Sequence, residues 1–276
     1  DGALQITASH HPFNRNGLKF FTRDGGLSGE DITAICKGAN ESACCDAHDG
    51  KVEKYNFMAD YSKHLRELII SGTGMEKPLK GFKIAVDAGN GAGGFYAYDV
   101  LEPLGADVSA SRYLDPDGMF PNHIPNPENA QAMASICEAV REGECDLGVI
   151  FDTDVDRGGC VDSKGNEINR NRLVALASAI ALENEPGGTI VTDSITSSGL
   201  KTFIEDDLKG KHHRFKRGYK NVIDESVRLN NEGVKSPLAI ETSGHAAFKE
   251  NYFLDDDADS YSYLKVLYCY HLGLHK

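Results

Sequence analysis

The first eight residues alternate between apolar and polar positions and predict a strand ending at Ala8; the polar, Gly-containing run 9–17 predicts a loop after it. Ser28 with Asp31 three residues on has the form of a capping box opening a short helix through Ile32 and Ile35. Met58, Tyr61, Leu65, Leu68 and Ile69 recur on one helical face, so a helix is expected from about Met58 to Ile70, with the Gly- and Pro-bearing stretch 71–81 as a linker. From Gly81 the pattern becomes strand (FKIAVD), Gly-rich turn, helix to Leu104 and strand (ADVSA), the order of a βαβ unit. A polar loop rich in Asp, Pro and Asn follows, then a helix across roughly Glu128–Arg141 and an apolar strand (LGVIF) that runs into Asp152. The stretch NRLVALASAIALE predicts a strongly amphipathic helix, and TIVTD and LAIE predict buried strands, so residues from about Asn166 onward form a third α/β block.

At 276 residues the chain exceeds what one compact core usually holds, so two domains, or one whole domain with pieces of others, are expected. Forty per cent hydrophobic and 26% charged residues exclude disorder as the main state, and 29 Gly against 9 Pro fit many tight βα turns. Forty-two acidic against 29 basic residues give a net charge of −13, which repels phosphate backbones and anionic membranes, so neither nucleic acid nor a membrane is an expected partner. No apolar run approaches the roughly 20 residues that span a bilayer, and the opening residues lack the layout of a secretory signal. The seven cysteines, Cys36, Cys44, Cys45, Cys137, Cys145, Cys160 and Cys269, are odd in number and show no C-x-x-C pair. That usage predicts a reduced, intracellular protein of the cytoplasm or an organelle stroma, not a secreted one.

Asp152, Asp154 and Asp156 stand at alternate positions directly after a buried strand, where a tight turn can aim three carboxylates at one point; hard divalent cations such as Mg²⁺ take such oxygen ligands and share them with phosphate. The competing readings are an exposed acidic hairpin or an EF-hand loop, and the latter fails because Arg157 and Ser163 occupy the positions of its Gly and Glu. Ser9, in Thr7-Ala8-Ser9-His10-His11-Pro12, lies where a strand meets a polar loop, so its hydroxyl is either a nucleophile or phosphate carrier with His10 and Lys19 at hand, or an ordinary turn hydroxyl. No third ligand is spaced to make a zinc site with the two histidines. Glu241, Thr242, Ser243 and His245 concentrate polyol-binding groups at another strand end, against which stands a helix cap at Thr242 or Ser243. Residues 89–94 fit G-x-G-x-x-G with Asp107 beyond, a weak signal for a dinucleotide such as NAD, since any close strand-to-helix turn favours glycine. His212, His213, Arg214, Lys216, Arg217 and Lys220 form the densest basic cluster, either a dock for a small anion or a solvated loop.

Taken together and in order, Thr-Ala-Ser-His-x-Pro around Ser9, Asp-x-Asp-x-Asp-Arg at 152–157 and Glu-x-Ser-Gly-His at 241–245 resemble the α-D-phosphohexomutase family of phosphoglucomutases and phosphomannomutases. Gly218-Tyr219-Lys220 and the turn at 89–94 are supporting matches. The resemblance implies consecutive mixed-sheet α/β domains: residues 1–75 as the rear of an incomplete domain I with the phosphoserine loop, 79–165 as domain II with the metal loop, 166–276 as domain III with the sugar loop, and the fourth domain absent. It also implies that Ser9 is the phosphoserine and shares one Mg²⁺ with Asp152, Asp154 and Asp156. His10 and Lys19 assist proton transfer, Arg157 contacts the phosphate region, and Gly218, Lys220, Glu241, Ser243 and His245 hold the sugar phosphate. The implied reaction interconverts hexose 1-phosphate and hexose 6-phosphate, of glucose or mannose, through a hexose 1,6-bisphosphate that is both intermediate and activator. A non-catalytic sugar-phosphate-binding relative is the alternative, with an NAD-binding protein behind it. The sequence departs from the family pattern at Thr153 and Val155, where small residues are common, at His11 in place of Asn, and at Ile240 in place of Gly.

Overall fold

A computed structural model describes residues 2–9, 11–23, 25–41, 50–256 and 258. It divides into two compact units, Asp1–Phe57 and Met58–Lys276. In the first, β1 (Gly2–Ile6) pairs antiparallel with β2 (Leu18–Thr22), Gln5 opposite Lys19, and β3 (Gly25–Gly26) pairs with β2. The strand ends at Ile6 rather than Ala8, because the Thr7 N–H turns to the Gly17 carbonyl (3.1 Å) and closes the loop between β1 and β2. Helix α1 (Gly29–Glu41) starts where the capping box predicts: the Ser28 N–H donates to Asp31 Oδ2 at 2.9 Å, and the Asp31 N–H to Ser28 Oγ at 3.2 Å.

The second unit holds two mixed sheets. Helix α2 (Phe57–Thr73) buries Leu65 and Ile69 on the face its sequence predicts. In one sheet β4 (Ile84–Asp87) lies parallel to β5 (Leu147–Phe151), and β6 (Gly158–Asp162) returns antiparallel to β5. In the other, β7 (Thr189–Asp193) lies between parallel neighbours β8 (Lys211–Phe215) and β9 (Leu238–Ile240), and β10 (Ala246–Phe248) is antiparallel to β9. The helices between them are α3 (Ala130–Gly143), α4 (Arg170–Asn184), the short α5 (Ser198–Thr202) and α6 (Tyr219–Asn231).

Period-two alternation sorts each buried strand between two layers. Ile84, Val86, Val149, Phe151, Ile190, Leu238 and Ile240 enter one core with Leu65 and Ile69 of α2 and Val174, Ala177 and Ala181 of α4, so both sheets share it. On the opposite faces, Ala85, Ile150 and Val161 pack on Met133, Ile136 and Val140 of α3, and Val191 and Ala239 pack on Val222 and Leu229 of α6.

Several expectations need correction. The segment 106–110 is not a strand: near β4 the chain makes only isolated bridges at Asp107 and Arg112, because Ser109 and Ser111 turn it between them. The helix after the Gly-rich turn is a 3-10 turn (Ala92–Gly94) followed by a π-type segment (Tyr96–Leu101). Helix α4 is not amphipathic: Val174, Ala177, Ser178, Ile180, Ala181 and Leu182 are buried around most of its circumference, because it lies between the sheets rather than on the surface. The stretch read as a linker buries Leu79 completely enough to join the shared core.

Candidate active site

The run 147–151 is wholly buried, so β5 carries Asp152 to its carboxyl end inside the protein, and β6 returns at once. Residues 152–157 are therefore a hairpin loop, but not an exposed one: Asp152 is 0% exposed. Its Oδ1 accepts the N–H groups of Asp156 (3.1 Å) and Arg157 (3.2 Å), and its Oδ2 accepts Nε (3.1 Å) and Nη2 (2.9 Å) of the Arg157 guanidinium. Val155, a β-branched residue, is held at φ 66°, a strained backbone that folds the loop tightly. As a result Asp152, Asp154 and Asp156 each present an oxygen within 4.8 Å of the others. Burial first, then the Asp156 and Asp154 carboxylates, push Asp152 up to about 8, with Arg157 pulling the other way. Three hard oxygens crowded at this cost in mutual repulsion fit a small divalent cation. Arg157, expected at the phosphate, is 8% exposed, with its guanidinium on Asp152.

The second loop joins β9 to β10, so the helix-cap reading of Thr242 and Ser243 does not apply: a strand follows, not a helix. Glu241 is 4% exposed, and its Oε1 accepts the Gly218 N–H at 2.6 Å while Oε2 accepts the Ser243 hydroxyl at 3.2 Å. His245 Nδ1 is bonded to Asp255 Oδ2 at 2.8 Å, and the Tyr219 ring stacks on the imidazole at 5.1 Å. Burial alone would lower the His245 pKa, but the Asp255 carboxylate, with Asp156 nearby, outweighs it and raises it. Gly244, at φ 108°, lies against the start of β6, where a Cβ would stand 2.9 Å from the Gly158 carbonyl oxygen. The carboxylate loop and the Glu241 loop thus meet at one place, and Asp156, His245 and Asp255 offer ligand-type atoms within 4.8 Å of one another.

Gly218 joins this group through Glu241, whereas Lys220, on the exposed side of α6, faces Asp224 at 3.4 Å. His212, His213 and Arg214 belong to β8 rather than to a loop, and Arg214 is bonded to Thr196 and Ser197. The glycines of 89–94 are filled by the protein itself: a Cβ on Gly94 would lie 1.9 Å from the Leu114 carbonyl oxygen, and one on Gly91 2.7 Å from that of Thr153. Close packing against the protein's own backbone thus accounts for these glycines without a bound diphosphate. In the first unit, half-buried Ser9 sits at φ 51° with its N–H on Thr7 Oγ1 (2.9 Å), and half-buried Lys19 lies on β2. His10, Cys44, Cys45 and Cys269 lie outside the described residues.

Sequence reasoning missed Asp193, Tyr219 and Asp255. Asp193 is 0% exposed and accepts the Thr242 hydroxyl at 2.7 Å; it ends a buried strand as Asp152 does, and that shared signal marked it. Nothing in the acidic run 255–257 singles out Asp255 as the partner of His245.

Comparison with known proteins agrees with this arrangement. Models of phosphoglucomutase/phosphomannomutase alpha/beta/alpha domains match in order: domain I over residues 1–43, domain II over 59–165 and domain III over 169–269. A phosphomannomutase/phosphoglucomutase of Pseudomonas syringae pv. tomato is 32% identical over 254 residues, which are 92% of this chain and 51% of that protein. The crystal structure of a phosphoglucomutase/phosphomannomutase family protein from Burkholderia thailandensis superposes with a TM-score of 0.81 at 29% identity, covering 97% of this chain and 56% of that one. An Aspergillus fumigatus N-acetylphosphoglucosamine mutase, solved in complex with GlcNAc-6P and magnesium, shares the fold at 14% identity and a TM-score of 0.56, over 96% of this chain and 66% of its own. The chain spans about half the length of the Pseudomonas relative, and with three successive domain models matched it belongs to the phosphoglucomutase/phosphomannomutase family.

Proposed function

We propose that the chain carries the phosphoryl-transfer and sugar-holding parts of a phosphohexose mutase, interconverting the 1- and 6-phosphates of glucose or mannose. The observation that carries this reading is the meeting of the three-carboxylate loop with the Glu241 loop, pinned where Gly244 touches Gly158. In the first half-reaction a sugar hydroxyl attacks the phosphorus of phosphorylated Ser9. The bond from phosphorus to the serine oxygen breaks, one to the sugar oxygen forms, and the hydroxyl proton passes to the neutral amine of Lys19 or to His10. In the second the freed Ser9 hydroxyl attacks the other phosphorus of the bisphosphate so formed and takes that phosphoryl group, with the proton moving back. Asp152, Asp154 and Asp156 would hold Mg²⁺, whose charge, when bound, offsets that of the phosphate oxygens. The Aspergillus relative solved with magnesium and a sugar phosphate supports that assignment. Both Glu241 oxygens keep a lone pair beyond the bonds from Gly218 and Ser243, so the carboxylate can accept from two adjacent sugar hydroxyls.

Intact-mass analysis should find one phosphate, absent from Ser9→Ala, and Ser9→Ala should not convert glucose 1-phosphate to glucose 6-phosphate even with hexose 1,6-bisphosphate supplied. Normal turnover by that variant overturns the proposal. Calorimetry that finds Mg²⁺-dependent sugar-phosphate binding, with no conversion by the unmutated protein, identifies a non-catalytic relative instead.

A further inference from the structure

The Gly-rich turn is left without a role once a dinucleotide is set aside, and a buried polar cluster stands behind it. Asp87 at the end of β4 is 0% exposed and His123 is 5% exposed. Asp87 Oδ1 accepts from His123 Nε2 at 3.0 Å and from the Gly89 N–H at 2.9 Å, and its Oδ2 accepts the Ser135 hydroxyl of α3 at 2.7 Å. The other ring nitrogen, Nδ1, lies 3.0 Å from the Ile124 carbonyl oxygen. Both ring nitrogens thus have a buried oxygen at hydrogen-bond distance, and the Tyr113 ring stands edge-on at 5.4 Å, so the ring is fixed on three sides. The Gly89 N–H bond ties the start of the turn to this cluster, and Pro125 and His123 Cε1 close over Gly89 so tightly that a Cβ would stand 2.8 and 2.9 Å from them.

The far side of the same turn touches the carboxylate loop. The Ala92 N–H donates to the Thr153 carbonyl at 2.8 Å, and a Cβ on Gly91 would lie 2.7 Å from that oxygen and 2.8 Å from the Thr153 Cα. Thr153 stands between Asp152 and Asp154; Ala92 holds the peptide that leads into Asp154, and Gly91 packs on the Thr153 Cα that links the two aspartates. We infer that the turn 89–94, clamped from behind by the Asp87–His123 pair, is a positioning device for the metal loop: it holds Thr153 so that the carboxylates at 152 and 154 converge on one cation. Gly91, Asp87 and His123 are then positioning residues, acting on the cation through Thr153. This rests on the reading of the three aspartates as a Mg²⁺ site.

The test is calorimetric titration of the full chain with Mg²⁺ alone, beside thermal melting without metal. Asp154→Asn tests the site itself and should abolish Mg²⁺ binding. Gly91→Ala should weaken Mg²⁺ affinity by about 10- to 100-fold, the range found when groups that support metal ligands are removed. His123→Gln, which keeps one donor to Asp87 but not the ring that closes over Gly89, should weaken it in the same direction by less. If the protein binds no Mg²⁺, or Asp154→Asn binds as before, the metal reading falls and takes this inference with it. If Asp154→Asn loses the ion while folded Gly91→Ala, or His123→Gln should Gly91→Ala not fold, binds like the unmutated protein, the inference alone is wrong. A purely structural role would lower the metal-free melting temperature and leave the affinity unchanged.

Discussion

Thr242 lies between Glu241 and Ser243, yet its oxygen serves a different purpose. Its hydroxyl donates into the protein, to the fully buried Asp193, so it fastens the Glu241 loop to β7. Among the described residues Asp193 Oδ1 has no hydrogen-bond partner, so the Thr242 bond to Oδ2 matters all the more. Thr242→Val keeps the shape and removes the donor, and should lower unfolding free energy in urea by about 1–3 kcal/mol, the cost of an unsatisfied buried acceptor. His212 offers a pH test away from the metal loop. Its Nε2 is bonded to Thr192 Oγ1 at 2.8 Å, and burial, then the Arg214 charge, lower its pKa from 6.5 to about 4. Between those values the unfolded chain binds a proton that the folded chain does not, so this histidine's contribution is complete above about pH 6.5 and lost as pH falls toward 4. His212→Gln should show a shallower fall in stability across that window than the unmutated protein. Equal slopes would mean that the folded ring titrates normally.

Helix α3 shows how far an element can be read from its own residues. Asn129 caps it, its Oδ1 accepting the N–H groups of Gln131 (2.9 Å) and Ala132 (3.1 Å), and Asn129→Ala should cost about 1 kcal/mol in the same urea titration. The apolar spacing predicted this helix to within two residues at each end, and the capping box placed the start of α1. The strands β4, β5, β7 and β9 were also legible, because a short apolar run buried on both faces needs no partner to be recognised. β6 and β8 were not: Gly158 and Gly159 weaken the first, and the second has a basic composition that reads as loop until Val191 pairs with His213. The charge pattern of α6 hid it in the same way, since Val222, Ile223 and Leu229 are its few apolar residues on a core. At the site, the carboxylates and the Glu241 loop were visible because strand ends announce them. Asp87 meets His123 and Ser135 only because distant segments pack together, and the Asp255–His245 pair depends on the turn that follows β10, and no local pattern carries either.

Across the larger unit, the two sheets share one core, beside the smaller cluster that each keeps with α3 or α6 on its other face. Leu238 of β9, Ile190 of β7, Val86 of β4 and Phe151 of β5 belong to one buried cluster, with α4 between the sheets and α2 contributing Leu65 and Ile69. A shared core places the carboxylate loop and the Glu241 loop at the ends of strands packed on the same residues, which suits the proposed site, where a cation and a sugar are to be held in fixed register. It also means that neither sheet can lose its packing alone. Leu238 is 0% exposed, and Leu238→Ala should destabilise the unit by about 2–5 kcal/mol, as cavity-forming substitutions in a dense core do. Hydrogen exchange tells the two architectures apart. If the sheets unfold together, amides of β4 and β5, which lie in the other sheet, should speed up by the same factor as those of β7 and β9. Faster exchange confined to β7, β9 and β10, with β4 and β5 exchanging as before, would show that the two sheets are independent folding units and that their loops are registered by surface contact alone.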